Sequence, residues 1–389
     1  MIDVRAHLAR KPLLFDGGMG TYYKAKPGTE CEQGNLLDPA GVRKVHREYL
    51  AAGAEAIKTN TFGLPRMAAA RQPDWQALAR AGWKLAAEAA VETGAAVFAD
   101  LGPAPDTEAA PAGSIYTAVA RCFVEQGAKN FLFETLSSDA GVLEAVQAVK
   151  AQVPDAFVLV SFAVLPDGYT REGQYGRGLV RRMTESGLVD AVGFNCVSAP
   201  GAMRALMQQL GGSKLPLSVM PNAGYPVVTR TQVKYQGKPE YFAKELARIA
   251  AEGVRILGGC CGTTPAHIAA LRAALDSLPA VEKAAPAVQL STPEAPEVEK
   301  DDAFLRKLNA GQKVIAIELD SPKNADLTGY LDGAKRLQAA GADLLTIADC
   351  PIARARMDSS LVACRVHREL GLCTLPHMTC RDRNLNATK

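Results

Sequence analysis

The chain has 389 residues, a formal charge of +3 and 48% hydrophobic residues. This length and composition allow more than one hydrophobic core and exclude a mainly disordered protein. No dense run of Lys or Arg interleaved with aromatic residues occurs, so nothing indicates a nucleic-acid or membrane-surface partner, and we expect a small ligand.

The N-terminal segment has no long apolar run, and no stretch approaches the ~20 apolar residues of a membrane span. We therefore expect a cytoplasmic protein with no membrane contact. The nine cysteines are too sparse for a disulfide scaffold. In a reducing compartment, clustered cysteines more often bind metal or take part in catalysis.

From Leu13 to about Leu275, short apolar segments alternate with Ala-rich amphipathic segments, which is typical of repeated βα units. The predicted strands are LLFD, AEAIKT, AVFAD, NFLFE, FVLVSF, AVGFN, LSVMP and VRILG. The predicted helices are Pro39–Ala52, Trp75–Thr93, Thr117–Gly127, Ala140–Ala151, Gly178–Ser186, Pro200–Gln209, Glu240–Ala251 and Pro265–Leu275. Eight units in about 250 residues predict an α/β fold of the (β/α)8 TIM-barrel type, because a doubly wound sheet would usually stop earlier.

In such a barrel the C-terminal ends of all strands share one face, where functional side chains gather. Seven of the eight predicted strands end in polar or metal-binding residues. In chain order these are Asp16-Gly17-Gly18, Thr59-Asn60-Thr61, Asp100, Glu134-Thr135, Asn195-Cys196, Asn222 and Cys260-Cys261. The fifth strand, which ends in Phe162-Ala163-Val164, offers no such group.

Two adjacent cysteines, Cys260 and Cys261, stand between glycines after the eighth strand. A disulfide between them is disfavoured, because consecutive Cα atoms lie only about 3.8 Å apart. They could also be two buried thiols that pack as small hydrophobic residues. Cys196 at the sixth strand end supplies a third thiol across the same barrel mouth, which favours a metal site.

Three thiolates are typical of zinc, and a three-ligand site leaves the fourth position open, as in catalytic zinc sites. A structural site would need a fourth cysteine, and Cys31 and Cys122 have no local C-x-x-C partner. Such a zinc is expected to bind and deprotonate a thiol substrate. The expected reaction is attack of that thiolate on an electrophilic carbon, with release of a proton on binding.

Four motifs resemble the homocysteine S-methyltransferase domain, which also occurs in cobalamin-dependent methionine synthase and betaine-homocysteine methyltransferase. They are DGGMGT, FET, GFNC and GGCCGTTPAHI, within about the first 275 residues. The resemblance implies an enzyme in which Cys196, Cys260 and Cys261 bind zinc and homocysteine sulfur takes the open position. Homocysteine would be converted to methionine.

The resemblance also implies how the amino-acid end is bound. The backbone at Gly17 and Gly18 would receive the carboxylate, and Glu134, with Asp16 nearby, would hold the ammonium group. Asn222 matches a position that can approach the empty zinc. Simpler roles are a turn for Asp16 and Asn222, hinges for the glycines, and an ion pair at the barrel rim for Glu134.

The methyl donor is left open between S-methylmethionine, betaine and methylcobalamin. None of the five histidines lies in the D-x-H-x-x-G pattern of cobalamin-binding domains, so methylcobalamin would have to be carried by another protein. Two alternatives remain: a non-catalytic zinc- or homocysteine-binding module that serves a partner, and a bifunctional enzyme if the C-terminal part is completed.

After Leu275 the composition shifts, and residues 279–310, rich in Ala, Pro, Glu and Val, are predicted to be a linker between a first domain at 1–278 and a second at 311–389. The second part reads as β-α-β-α-β, with VIAIEL, Tyr330–Ala340, DLLTIAD, Arg356–Leu370 and TLPHMTC. Three strands cannot close a barrel. We therefore expect an incomplete second β/α barrel segment.

AIELDSPK and PHMTCRDRN resemble the first and third strands of methylenetetrahydrofolate reductase. The resemblance implies that Glu318 stands at the acid position and that Asp382 stands where folate and flavin are contacted. The segment TIADCPIARARMDSS departs from the usual glycine-rich second loop of these reductases. FAD is expected only if this second domain were complete.

Overall fold

The computed structural model describes residues 2–107, 110–211, 213–228, 233–235, 237–278, 303–351 and 354–379. The chain divides into two compact units, Met1–Ser291 and Thr292–Lys389. In the described parts, no helix combines the length and the apolar character that crossing a membrane requires.

The first unit is built on a sheet of eight parallel strands. The strands of this unit are β1 Leu13–Leu14, β2 Ala56–Lys58, β3 Ala96–Leu101, β4 Asn130–Leu136, β5 Phe157–Phe162, β6 Ala191–Asn195, β7 Leu217–Met220, β8 Pro226–Val228, β9 Val233–Tyr235 and β10 Ile256–Leu257. The sheet order is β1-β10-β7-β6-β5-β4-β3-β2, and Phe15 pairs in parallel with Ala56, which joins the two edges. The predicted (β/α)8 barrel is thereby confirmed.

Twelve helices are described in this unit, together with a short 3-10 helix at Cys31–Gln33. They are α1 Val4–Leu8, α2 Met19–Tyr22, α3 Gly34–Leu37, α4 Pro39–Ala51, α5 Leu64–Ala69, α6 Trp75–Val91, α7 Ala112–Val124, α8 Val142–Gln152, α9 Gly176–Ser186, α10 Pro200–Leu210, α11 Pro239–Ala251 and α12 Pro265–Asp276. The eight predicted helices correspond to α4 and α6–α12. The predicted start of α7 at Thr117 is wrong: the helix begins at Ala112, directly after Pro111, which is the N-cap residue.

Two layers of apolar side chains hold the barrel together. Inside it, Leu13, Phe15, Phe98, Leu132 and Ile256 belong to one buried cluster, to which α1 adds Val4 and Leu8. A larger cluster fills the space between strands and outer helices. Full burial of each large side chain contributes roughly 1.5–3 kcal/mol. The strands β3 and β5 are buried at every position, which explains their continuous apolar sequence.

Between β7 and α11 an antiparallel hairpin of β8 and β9 interrupts the βα repeat. The sequence did not predict it. Its second strand ends at Tyr235, whose ring stands beside Gly262 in the loop after β10: a Cβ atom on Gly262 would lie 2.2 Å from Tyr235 Cγ. Gly262 also has φ +78, a left-handed conformation that favours glycine.

The second unit contains a three-stranded parallel sheet, in the order β11-β12-β13. Its elements are α13 Ala303–Asn309, β11 Ala316–Glu318, α14 Thr328–Ala339, β12 Leu344–Ile347, α15 Ser359–Leu370 and β13 Cys373–Pro376. A small core includes Tyr330, Leu345, Ile347 and Val362. The predicted β-α-β-α-β order is therefore present. Glu318 is exposed at the end of β11, and Asp382 lies outside the described residues.

Candidate metal centre and substrate cavity

Strand alternation places a polar layer directly above the apolar interior of the barrel. Side chains two residues apart on a strand point to the same face. Ala56, Phe98, Leu132 and Leu159 belong to the interior cluster. Two positions further along the same strands stand Lys58, Asp100, Glu134 and Ser161, all of them buried.

The thiols of Cys196, Cys260 and Cys261 come together at this level, with their Sγ atoms all within 4.8 Å of one another. The Sγ atoms of Cys196 and Cys261 are 3.8 Å apart. Tetrahedral zinc with Zn–S bonds of 2.3 Å separates its sulfur ligands by about 3.8 Å. The Cys196–Cys261 spacing therefore suits two ligands of one tetrahedral ion, and Cys260 lies close enough to be a third.

Local backbone geometry turns each cysteine toward the others. Cys196 follows β6 with φ +58, an unusual conformation for a non-glycine residue, and its N–H donates to the carbonyl of Met220 at 3.1 Å. The N–H of Cys260 donates to the carbonyl of Pro221 at 2.9 Å. The loops after β6 and β10 are therefore both anchored on the end of β7.

Glycines around the cluster allow backbone segments to approach closely. A Cβ atom on Gly18 would lie 2.5 Å from the carbonyl oxygen of Cys260, and one on Gly259 would lie 2.4 Å from Thr263 Oγ1. The Thr263 hydroxyl donates to the carbonyl of Cys260 at 2.6 Å and accepts the N–H of Gly18 at 2.9 Å. Thr263 thus joins the loop after β1 to the cysteine loop.

Hydrogen bonds among the three thiols shift the pKa of each of them. Hydrogen bonds from Cys196 and Cys260 lower the pKa of Cys261 to about 3. A hydrogen bond with Cys196 lowers the pKa of Cys260, but the hydrogen bond with Cys261 and burial outweigh it and raise the pKa of Cys260 to about 11. Hydrogen bonds to the other two thiols raise the pKa of Cys196. These contacts favour ionisation of Cys261 over that of the other two thiols.

Beside the thiols lies a buried group of one lysine and three carboxyl groups. Lys58 Nζ is 3.8 Å from Asp16 Oδ1 and 3.7 Å from Glu134 Oε2. Burial would lower the pKa of Lys58, but the charges of Glu134 and Asp16 outweigh it and raise that pKa. Lys58 is therefore a permanent ammonium group within the barrel.

Burial is the largest influence on the pKa of each of the three carboxyl groups. It raises the pKa of Asp16 and of Glu134 to about 7, although Lys58 opposes the shift in both. Burial and the charge of Glu134 raise the pKa of Asp100 well above its ordinary value. The three groups therefore hold protons at a higher pH than free carboxyl groups do, and a cation bound beside them would favour their ionised forms.

A cavity of about 270 Å³ joins the thiols to this charged group. Among its lining residues are Gly18, Cys31, Lys58, Asn60, Asp100, Glu134, Thr135, Cys196, Cys260 and Cys261. Of the predicted site residues, the three cysteines, Gly18 and Glu134 thus face one space. Cys31 also faces it, but its sulfur donates to Asn60 Oδ1 at 3.0 Å and is not part of the thiol cluster.

Asp16, Gly17 and Asn222 are close to the cavity but are not among its lining residues. The N–H of Asn222 donates to the carbonyl of Ser198 at 3.1 Å, and its Oδ1 has no hydrogen-bond partner among the described residues. A Cβ atom on Gly17 would lie 2.6 Å from Thr263 Oγ1. Their predicted roles in substrate binding stay predictions.

Asn195 connects the thiols to the carboxyl group of Glu134. Its Nδ2 donates to Thr135 Oγ1 at 2.8 Å and to Glu134 Oε2 at 3.2 Å, and lies 3.9 Å from Cys260 Sγ. Its Oδ1 accepts from the N–H of Thr135 and from Ser161 Oγ, both at 2.8 Å. This network holds the amide orientation, so that an N–H donor faces both the thiol and the carboxylate.

Three residues of this region were missed by the sequence reasoning. The sequence did contain an indication for Lys58, because a lysine inside an apolar strand needs a buried partner of opposite charge. Ser161 stands one residue before the apolar end of β5, so the fifth strand does contribute. Tyr235 hydrogen-bonds to the sulfur of Cys261. It comes from the unpredicted hairpin and gave no periodic signal.

Comparison with known proteins follows the same part of the chain. The family model described as homocysteine S-methyltransferase matches residues 13–275. The methionine synthase of Mycobacterium tuberculosis is 32% identical over 312 residues, which cover 73% of this chain and 26% of that relative. The chain thus spans about a quarter of the length of this relative.

Two solved structures of the homocysteine methyltransferase MmuM from Escherichia coli resemble the barrel. The apo form is 28% identical with a TM-score of 0.53, covering 68% of this chain and 96% of that one. The oxidized form is 25% identical with a TM-score of 0.56, covering 70% and 99%. Nearly the whole of that enzyme is therefore matched by the first unit.

Proposed function

The chain belongs to the homocysteine S-methyltransferase family, and on that premise we propose that its barrel methylates the sulfur of homocysteine and forms methionine with the help of one zinc ion. The observation that carries the proposal is the cluster of Cys196, Cys260 and Cys261 on the wall of a cavity that also presents carboxyl groups. A thiol at one end and an ammonium at the other match those two features.

The three cysteines fit zinc by chemistry and by spacing. Thiolates are soft ligands that select zinc, and the 3.8 Å between the Sγ atoms of Cys196 and Cys261 suits a tetrahedral ion. When bound, zinc would supply the positive charge that keeps the substrate sulfur as a thiolate at neutral pH. A reducing cytoplasm, as expected from the sequence, would keep the three thiols available.

The residues of the chain position the amino acid next to the cluster. Glu134 faces the cavity and would accept hydrogen bonds from the substrate ammonium, with Asp16 behind it. Asn195 holds Glu134 Oε2 at 3.2 Å, so the carboxylate orientation is set before the substrate arrives. The loop of Gly17 and Gly18 would receive the substrate carboxylate, and Asn222 would approach the metal from the end of β7.

The methyl donor is the part of the reaction that these residues do not select. We propose S-methylmethionine, betaine or methylcobalamin carried by another protein. Transfer of isotope-labelled methyl groups from each donor to homocysteine, with and without zinc, tests the proposal. Methionine should form with at least one donor, stop after chelation and return with added zinc. Binding of zinc and homocysteine without methionine from any donor would instead support the non-catalytic binding module.

Substitution of one cysteine ties the activity to the cluster. Cys260→Ala removes a ligand, so one equivalent of bound zinc and the methyl transfer should be lost together. Cys122→Ala is the matched control, because Cys122 is a buried free cysteine on α7 outside the cluster. The control should keep both zinc and activity. Activity retained in Cys260→Ala would place the reaction elsewhere.

For the second unit we propose the domain predicted from the sequence, a methylenetetrahydrofolate reductase-like domain at 311–389 behind a linker at 279–310, the last part of which forms α13. Three parallel strands alternating with helices support it. Glu318 and Asp382 would be its folate and flavin residues. The purified chain should show no flavin absorbance. A stoichiometric flavin spectrum would instead indicate the bifunctional enzyme.

A further inference from the structure

Lys58 stands where the family resemblance would place the ammonium group of the substrate. Its Nζ lies between Asp16 Oδ1 at 3.8 Å and Glu134 Oε2 at 3.7 Å, and it donates to the carbonyl of Gly259 at 3.3 Å. The N–H of Lys58 also donates to Asp16 Oδ2 at 3.0 Å. Oδ2 of Asp16 thus accepts from the backbone of Lys58, whereas its Oδ1 lies in ion-pair range of Nζ without a hydrogen bond from the described residues. Asp16 does not line the cavity.

Asp100, unlike Asp16, presents its carboxyl group to the cavity. It lines the cavity, only 4% of its surface is exposed, and its Oδ1 has no hydrogen-bond partner among the residues that the structure describes. Its backbone is held on both sides: the N–H donates to Thr59 Oγ1 at 3.0 Å, and the carbonyl accepts from Thr61 Oγ1 at 2.8 Å. A buried carboxyl oxygen without a hydrogen-bond partner is costly unless a ligand supplies one.

The balance of charge indicates what that ligand brings. Lys58 Nζ forms ion pairs with Asp16 and Glu134. Its charge also acts on Asp100, but no ion pair of Asp100 occurs among the described residues, and Asp100 lies on the cavity wall. A cationic hydrogen-bond donor in the cavity would pair with Asp100 Oδ1 and with Glu134, which also lines this space. The α-ammonium group of an amino acid is such a donor.

We propose that Asp100, together with Glu134, binds the ammonium group of the substrate and selects amino thiols over thiols without an ammonium group. Asp16 and Lys58 then serve as positioning residues that hold Glu134 in place. This assignment rests on the proposed function, because it takes the substrate to be an amino-acid thiol. It goes further by naming the carboxylate that recognises the amino group.

Binding measurements on the zinc-loaded full chain test the assignment without a methyl donor. Three thiols are compared by calorimetry: L-homocysteine, 4-mercaptobutanoate, which lacks the ammonium, and 3-aminopropane-1-thiol, which lacks the carboxylate. Asp100→Asn should weaken binding of both ammonium-bearing thiols by about tenfold or more, as expected for one charge-assisted hydrogen bond. Binding of 4-mercaptobutanoate should change less than about twofold.

The matched control is Asp106→Asn, which removes one negative charge from an exposed residue outside the cavity lining. It should leave all three affinities unchanged, and zinc content should be equal in every variant. Equal weakening of all three thiols in Asp100→Asn, or no weakening of any, would overturn the assignment while leaving the proposed function intact. A wild-type chain that binds none of the thiols would overturn the proposed function and the assignment with it.

Discussion

At the scale of single residues, the site depends on a few buried charged groups that can pair only with one another. Lys58 and the carboxyl groups of Asp16 and Glu134 are almost fully buried. Removing one member of a buried set of paired charges typically lowers the free energy of unfolding by about 3–5 kcal/mol, because the remaining charge is left without compensation. The arrangement is therefore rigid, and that rigidity is what keeps Glu134 directed into the cavity.

Glu134 makes the stability of the metal-free chain depend on pH. Its pKa in the folded chain is about 7 against an ordinary value of 4.5, chiefly because burial outweighs the opposing effect of Lys58. Asp16, Asp100 and Cys260 face the same region. Between pH 4.5 and 7 the folded chain holds a proton that the unfolded chain releases, so the free energy of unfolding falls as pH rises through this window.

Glu134→Gln removes this contribution. The free energy of unfolding of the variant minus that of the original chain should therefore rise from pH 4.5 to pH 7.5, by an amount of the order of 3 kcal/mol. Urea unfolding of both chains with chelator and reductant, at the two pH values, measures it. A stability difference that is the same at both pH values would contradict the prediction.

At the scale of elements, close strand packing sets the position of the three clustered thiols. Gly193 on β6 pairs with Ser218 on β7, and a Cβ atom there would lie only 1.9 Å from the carbonyl oxygen of Ser218. Cys196 follows three residues later on the same strand and loop. The distance between β6 and β7 therefore decides where the Cys196 sulfur stands relative to Cys260 and Cys261.

Gly193→Ala should force β6 away from β7. We expect a loss of about 3 kcal/mol in the free energy of unfolding, as in other overpacked cores, together with weaker zinc binding. Gly178→Ala on α9 is the matched control, because its Cβ would meet only Arg182 Nη1 at 3.6 Å. It should raise stability by about 0.5–1 kcal/mol and leave zinc binding unchanged. Equal behaviour of the two variants would argue against this account.

At the scale of the whole molecule, each unit has a core of its own. The core clusters of the first unit lie between Val4 and Leu278, and that of the second lies between Ile317 and Leu372. All three cysteines of the cluster and every residue that lines the cavity belong to the first unit. The structural requirements of the proposed reaction are thus met within one barrel.

A fragment of residues 1–278 should consequently fold and bind one equivalent of zinc. Its thermal unfolding midpoint should agree within a few degrees with the barrel transition of the full chain, since no core residue is removed. Calorimetry and metal analysis of the fragment beside the full chain provide the check. A fragment that precipitates or loses zinc would show that the barrel needs the remaining residues.

The fold and the meeting of the three thiols could be predicted from the sequence because both follow from local patterns. Eight apolar segments at βα spacing indicate a barrel, and the rule that strand ends share one face brings Cys196 together with Cys260 and Cys261. Elements outside the repeat were less accessible. The β8–β9 hairpin and the short helices α2, α3 and α5 follow no periodic pattern.

The sequence by itself therefore determined the barrel and the three thiols that the structure brings together. Only the tertiary structure decided which charges meet beside the thiols: that Lys58 lies in ion-pair range of Asp16 and Glu134, and that Asp100, with Oδ1 unpartnered among the described residues, lines the cavity. The physical reason is that these contacts depend on the register of several strands around a closed barrel. The residues involved are 42 or more positions apart in the chain, so no local spacing encodes them.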